Sequence, residues 1–512
     1  MLSLFGNKSD HPLAKLKSAQ QLLDDLPKTD SVKVLQEIGH WIEALFDPAN
    51  EFRLDHQFAL LRLLDDAAHP HLRKIIHSYF AAVPPNEFQE KRLWGAMNAY
   101  FACTELGYLD LIIGLQRGEK GSALIKAGVA LISARGLYAS YGRMECAAVQ
   151  YAQVEPLLWR RMADFYAYAE AEQCLDEQIS IYAGLGENTS VRCLFAGALM
   201  WHSAVAGAYR PLDLHIAKRL IANMDKSFAV GTQRQADSLL VFDLSAPEAP
   251  ARLADEGGIY PPAMRFVSIG TSSAFLDNLL KTLDKNLVPA ELNMGVAYGA
   301  EVVANVAQRL AAYCQARLPV RRPPRRKIKI KISVLNGFFK VVEETHVDLN
   351  LNDPVSENWE VEDISANGIR CVFPEGRGRS VKIGTLLGFQ PHKSLHWGVG
   401  IVRRLRRDAK NNLHVGVRIL ANKVSSVALQ GQDGLDADAE HSALLLDRFD
   451  QQASESVMLM KQDIFSVNRS PTMKLDDQSF LLLPLALEEK GLDFDIVRYR
   501  KMAQDNSCEA AY

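Results

Sequence analysis

Two short stretches carry the residue types best suited to chemistry. Arg321-Arg322-Pro323-Pro324-Arg325-Arg326 packs four arginines into six positions, and Asp363-Ile364-Ser365-Ala366-Asn367-Gly368 begins 38 residues beyond Arg325. Guanidinium groups are planar forks that match phosphate oxygens, and equally the O6/N7 edge of guanine, in bidentate fashion. Asp363 can accept from the N1 and N2 donors of guanine, Ser365 can bond to backbone or phosphate, and Gly368 permits a turn at positive φ where the chain doubles back. The pairing points to recognition of a phosphate-bearing nucleotide. Two arginine frames are open, Arg321 with Arg325 or Arg322 with Arg326.

Other chemistries find little support. Gly184-Leu185-Gly186-Glu187-Asn188-Thr189-Ser190 has glycines near hydroxyls but lacks the GK[ST] of a phosphate-binding loop, and it follows a helical run rather than a strand. His69-Pro70-His71 with His77 lacks HExxH spacing and reads as the corner of a helical hairpin, and no GxSxG occurs. Glu170 and Glu172 lie two apart on a helix and so face different directions. No enzyme, metal site or cofactor is expected.

The 512 residues exceed what a single core usually organises, so several domains are expected. Hydrophobic residues make up 48% and charged residues 23%, and a net charge of −3 exerts no global pull on nucleic acid, so any basic function is local. Seven cysteines without a CxxC pair, no signal-peptide pattern and no long apolar run lead to the expectation of a cytoplasmic protein without a transmembrane segment.

The elements that must position the two motifs follow from periodicity. Apolar residues at three- and four-residue steps, as in Val32, Leu35, Ile38, Ile42 and Leu45, predict a helical domain over 1–230, with further runs from Phe58 to Leu64, Leu72 to Ala82, Leu93 to Leu106, Ala123 to Ile132, Ala147 to Tyr182 and Val191 to Ala206. A small α/β connecting region covers 231–318, with strands at Leu239–Leu244 and Met264–Gly270 and helices at Ser273–Leu283 and Ala300–Cys314. Lys327 to Val334 alternates lysine with β-branched residues and predicts a half-buried strand. Further strands up to Leu420 make 319–422 a small antiparallel barrel. Residues 423–512 read as a linker, Ala421 to Gln452, followed by an additional β region with strands at 456–459, 464–467, 479–484 and 494–499, a possible degenerate companion barrel.

The arginine run, the Asp363 to Gly368 hexapeptide and the later glycine-valine strands Gly398-Val399-Gly400-Ile401-Val402-Arg403 and Val415-Gly416-Val417-Arg418-Ile419 together resemble the PilZ domain family, with its RxxxR and [D/N]xSxxG motifs. The resemblance covers Arg321 to Leu420. It implies that cyclic di-GMP is the ligand and that Arg321, Arg322, Arg325, Arg326, Asp363, Ser365 and Gly368 are its contacts. It further implies that the frame is Arg321 with Arg325 and that the arginine segment is an arm before the first strand which closes over the ligand; because the arginines lie between the Ala300–Cys314 helix and that strand, a pinned arm is expected to relay the ligand's presence to the helices, and family analogy adds a protein partner for them. The spacing to Asp363 is longer than the family's, and Val341 to Asn358 is the expected insertion. Two alternatives stand beside this reading: a degenerate PilZ-like scaffold that binds protein without ligand, and a basic barrel that binds nucleic acid. The second is disfavoured because Phe338, Phe339, Phe373 and Trp397, the aromatics near Arg377, Arg379, Lys382, Arg403, Arg404, Arg406 and Arg407, read as core residues.

Overall fold

The computed structural model describes residues 11–81, 85–184, 188–253, 258–294, 298–315, 325–345, 356–373, 381–392, 394–431, 440–447, 454–475 and 478–504. The chain divides into two compact units, Met1–Pro319 and Val320–Tyr512.

The first unit begins with α1 (Leu16–Asp24), α2 (Ser31–Leu45), α3 (Leu54–Tyr79), α4 (Glu87–Gln116), α5 (Ser122–Ile125), α6 (Val129–Val149), α7 (Pro156–Ala171), α8 (Val191–Val205) and α9 (Pro211–Met224). The stripe that predicts α2 is buried, and Asp30 caps it by accepting from the backbone N–H groups of Val32 and Lys33 at 3.1 and 3.2 Å. Two expectations fail here. His69-Pro70-His71 is not a corner: α3 runs unbroken through Pro70, because Leu60, Leu61 and Leu64 before it and Leu72 and Ile75 after it bury one continuous face whose packing outweighs the lost backbone bond. The run Ala147 to Tyr182 is not one helix, since Pro156 starts α7 afresh and the chain leaves helical geometry after Ala171.

At the centre of the helices sits a buried ionic cluster. Asp65 of α3 accepts from the hydroxyls of Tyr100 and Tyr108, both at 2.6 Å, and of Tyr182 at 2.9 Å, and pairs with Arg135 at 3.1 Å. One carboxylate thereby ties α3, α4, α6 and the segment after α7 together.

The connecting region adds β1 (Ala229–Gly231), β2 (Ser238–Asp243), β3 (Ala251–Arg252) and β4 (Met264–Ser268), an antiparallel sheet ordered β1-β4-β2-β3, with α10 (Ser272–Leu283) and α11 (Ala300–Cys314). It does not stand apart: Leu240, Phe242, Val267, Val303 and Leu310 belong to the same apolar core as the helices, and Arg265 of β4 donates to Glu170 of α7 at 3.0 Å.

The second unit consists of two closed six-stranded barrels. The first is built from β5 (Arg326–Asn336), β6 (Glu357–Ser365), β7 (Gly368–Phe373), β8 (Leu386–Pro391), β9 (Gly398–Arg407) and β10 (Leu413–Ala421), closing in the order β10-β7-β6-β5-β8-β9. A short helix, α12 (Phe338–Thr345), follows β5. The second barrel contains β11 (Lys423–Gln430), β12 (Glu440–Asp447), β13 (Glu455–Met460), β14 (Thr472–Leu475), β15 (Gln478–Lys490) and β16 (Asp495–Ala503). The expected linker from Ala421 to Gln452 thus contains two strands. Its polarity misleads because only Val424, Val427 and Leu429 of β11 and Ala443, Leu444 and Leu446 of β12 face inward, without strict alternation.

Three further corrections concern this unit. Ile464–Val467 is not a strand. The alternation in β5 buries Ile332 and Val334 but leaves Ile330 42% exposed, because the register against β6 slips between Lys327 and Ile330. Part of the expected Val341 to Asn358 insertion is α12, whose Phe338, Val341 and Val342 are buried, while Phe339 is 56% exposed and not a core residue. Phe338 and Val341 pack in one cluster with Leu386, Val399 and Ile401 of the first barrel and Val424, Leu444, Leu459, Phe494 and Ile496 of the second, so the barrels share a core.

Candidate functional site

The β6–β7 hairpin brings Ser365 opposite Gly368, and the backbone N–H of Ile419 on β10 donates to the Asn367 carbonyl at 3.1 Å, fixing the turn against the neighbouring strand. The Ser365 hydroxyl donates to the Gly368 carbonyl at 3.2 Å. The reason for glycine at 368 differs from the expected one. Its φ is not in the left-handed region; instead a Cβ there would lie 2.9 Å from the Val417 carbonyl oxygen, so glycine is required for the close approach of β7 and β10.

Arg325, immediately before β5, donates to Asp363 Oδ1 at 2.8 Å, while Arg370 approaches Oδ2 at 3.2 Å. Asp363 is 8% exposed, so its charge is balanced by two guanidinium groups rather than by water. Arg370 also pairs with Glu362 at 2.7 Å, and a bulge in β6 between Val361 and Asp363 lets consecutive carboxylates share it.

Arg325, Ser365 and Gly368 line a cleft of about 270 Å³ together with Asn367, Arg403, Arg404, Gly416, Val417 and Arg418. Three of the expected residues therefore share one cleft. Asp363 does not line it and acts from behind through Arg325. Arg326 lies in β5 opposite Ile364 and does not line it either. Arg321 and Arg322 lie outside the described residues.

The far wall of the cleft comes from Arg403 and Arg404 of β9 and Arg418 of β10, none of which belongs to either sequence motif. Strict alternation would send Arg403 and Arg404 to opposite faces. The β9–β10 register, however, pairs Arg404 with Gly416 and Val402 with Val417, so Arg403 is the extra residue of a bulge and both arginines reach the cleft. Arg418 sits directly opposite Gly368 in the ladder. Glu489 of the second barrel pairs with Arg403 through one oxygen and with Arg418 through the other, at 2.7 Å. A bulge in β15 between Leu487 and Glu489 precedes this carboxylate.

Four guanidinium groups around a concavity floored by backbone and a hydroxyl present donors that match the geometry of phosphate oxygens and of the acceptor edge of a purine. Among the described lining residues there is no His, Cys, Asp or Glu to activate the Ser365 hydroxyl.

Among known families, residues 17–233 match the model described as the N-terminal domain of the cyclic-di-GMP receptor FimW. The match lies wholly in the first unit and ends before the barrels. No curated protein matches the chain. Among the described residues no helix is long and apolar enough to cross a membrane.

Proposed function

We propose that this protein is a receptor for cyclic di-GMP, that the dinucleotide binds at the first barrel of the second unit, and that this barrel is PilZ-like. The observation that carries the reading is the convergence of Arg325, Ser365 and Gly368 on one cleft walled by Arg403, Arg404 and Arg418. The similarity of residues 17–233 to a domain of a cyclic-di-GMP receptor supports it independently, because that similarity involves none of the cleft residues.

The volume of the cleft falls just below the range of roughly 300–1,000 Å³ usual for small-molecule pockets. A cyclic dinucleotide would therefore place one phosphate and one guanine in it, with the rest over the open face. Arg325 would exchange part of its pairing with Asp363 for ligand oxygens, and Arg403 and Arg418 would do the same with respect to Glu489. Each exchange replaces one charge-assisted bond by another, so affinity depends on how far the bonds to the ligand outweigh the internal pairings released.

Calorimetry with cyclic di-GMP, GTP and cyclic di-AMP on the full chain and on Arg325→Ala tests the site. We expect saturable binding of cyclic di-GMP that survives moderate salt and falls at least roughly tenfold in the variant, which corresponds to about 1.4 kcal/mol. A flat trace with folded protein overturns the reading, and binding that collapses steeply with salt and ignores nucleotide identity favours a general polyanion binder. The reading includes a protein partner for the helical unit. If cyclic di-GMP governs that partner, crosslinking in cells returns a different set of proteins for Arg325→Ala than for the unaltered chain.

A further inference from the structure

The helical unit contains a larger concavity, of about 920 Å³, between α3, α6, α9 and the segment after α7. This lies at the upper end of the range for small-molecule sites.

Its charges do not cancel. On the α3 side, Arg73 and Lys74 are exposed, and their side chains make no hydrogen bond or ion pair among the described residues. Facing them, α9 contributes Lys218 and Arg219. Lys218 is matched by Glu145 of α6, 2.9 Å away. Arg219 is not matched by a carboxylate: its Nε donates to His215 Nε2 at 3.1 Å and a terminal N–H donates to the Asn293 carbonyl. Because Nε2 accepts, the His215 proton resides on Nδ1, which donates to Glu145 at 3.1 Å, and the ring is neutral. Burial, which lowers the His215 pKa, is consistent with that state. Of the other acids in the wall, Asp225 is buried beside Lys226 and its pKa is pushed up to about 7 by desolvation, and Glu291 is exposed, its charge set against that of Lys226, which also lines the concavity. Arg73, Lys74 and Arg219 are left as a cationic surplus from two opposing walls.

The surplus shares the concavity with an aromatic surface formed by Tyr138, Tyr141 and Tyr182. Arg73 and Arg219 are both within electrostatic reach of the Tyr138 hydroxyl, which burial otherwise dominates. The half-buried Tyr138 packs edge-on against Tyr182 with ring centres 5.4 Å apart, and the Lys218 ammonium lies 4.4 Å from the centre of the Tyr141 ring. Ile181, Leu194 and Ile221 extend the apolar part of the wall. A cationic mouth above tyrosine faces and aliphatic side chains suits a ligand with a phosphate at one end and a planar ring at the other.

We propose that this cleft binds a phosphorylated, ring-bearing small molecule of mononucleotide size, with the phosphate held by Arg73, Lys74 and Arg219 and the ring against Tyr138. The site is separate from the barrel cleft and does not depend on what binds there.

Fluorescence titration of the full chain with N-methylanthraniloyl-labelled AMP and GMP, competed by the unlabelled nucleotides and by inorganic phosphate, tests the proposal. The three proteins to compare are the unaltered chain, an Arg73→Ala/Lys74→Ala variant and Arg325→Ala. Both α3 side chains are exposed, so the double variant is expected to fold, and its thermal melt checks this. Arg219→Gln provides a second route to the same answer. The expected result is saturable binding of at least one nucleotide that weakens at least roughly tenfold in Arg73→Ala/Lys74→Ala and in Arg219→Gln, and persists in Arg325→Ala, in which the barrel cleft is disabled. The proposal is overturned if neither nucleotide binds, if binding ignores the α3 and α9 substitutions, or if only Arg325→Ala abolishes it.

Discussion

Glu489 occupies two of the cleft's four arginines, and this sets the sign of an experiment. If Glu489 holds the place of a ligand phosphate, removing its charge releases Arg403 and Arg418 for cyclic di-GMP. Glu489→Gln is then expected to tighten binding by roughly three- to tenfold, the equivalent of ~1 kcal/mol for charge-assisted bonds at a half-exposed site. Calorimetry reads the change, and a weaker Kd would mean that the carboxylate instead holds the arginines in position. At this scale the sequence was legible where chemistry is local. Arg325, Ser365 and Gly368 are recognisable from residue type and order, and they do meet. Arg403 and Arg404 stand out in the sequence only as basic residues and Arg418 only as part of a glycine-valine strand, because the convergence of the first two depends on a bulge that periodicity cannot reveal. Glu489 could not have been assigned at all, since its role arises from a strand 71 residues beyond Arg418 in the chain. Gly368 lines the cleft, but glycine is needed there for close strand approach rather than for positive φ, and the two requirements look the same in sequence.

Among the elements, the helices with clean apolar stripes were read almost to their ends, as α2 and α11 show, while the strands of the second barrel were the hardest to see. There β10 ends at Ala421 and β11 begins at Lys423, so the chain passes between barrels with a single residue, Asn422, and none of the Gly/Pro punctuation that marks a boundary. The shared core explains why so short a passage suffices: side chains from both barrels close over it. Phe494, fully buried there, lies outside the lining of the barrel cleft yet belongs to the cluster that includes Val399 and Ile401 of β9, the strand that carries Arg403 and Arg404. Phe494→Ala is expected to cost roughly 3–5 kcal/mol, as large aromatic truncations in cores do. Because the cavity opens between the barrels, it should also weaken cyclic di-GMP binding. Denaturant unfolding monitored alongside calorimetry tests both parts. A destabilised variant with unchanged affinity would show that the two barrels are energetically independent.

For the whole molecule, the sequence indicated a helical part followed by barrels, and the two compact units agree in that order; what it could not show is that the connecting sheet shares the helical core, because burial against distant helices leaves no local mark. Separate cores in the two units lead to two thermal transitions, and the buried acid of the first unit makes one of them depend on pH in a definite direction. The Asp225 carboxyl titrates at about 7 in the folded unit against 3.8 when solvated, chiefly through desolvation. Between those values the folded chain holds a proton that the unfolded chain has released, so the stability this group allows declines as pH rises from about 4 to about 7. His69 and His202, both lowered to about 4 by burial, act oppositely, since their charging in the unfolded chain erodes stability as pH falls below 6.5. The absolute curve of the unaltered protein therefore mixes both signs, but its difference from Asp225→Asn does not. The variant is expected to melt level with the unaltered chain near pH 4 and, if ~2 kcal/mol of the desolvation cost is relieved, ~3 °C higher at pH 8. The gain should appear only in the transition of the helical unit, whereas saturating cyclic di-GMP should raise the other transition by mass action. Scanning calorimetry at the two pH values resolves the pair, and a pH-independent difference would mean that Asp225 is ionised in the folded protein.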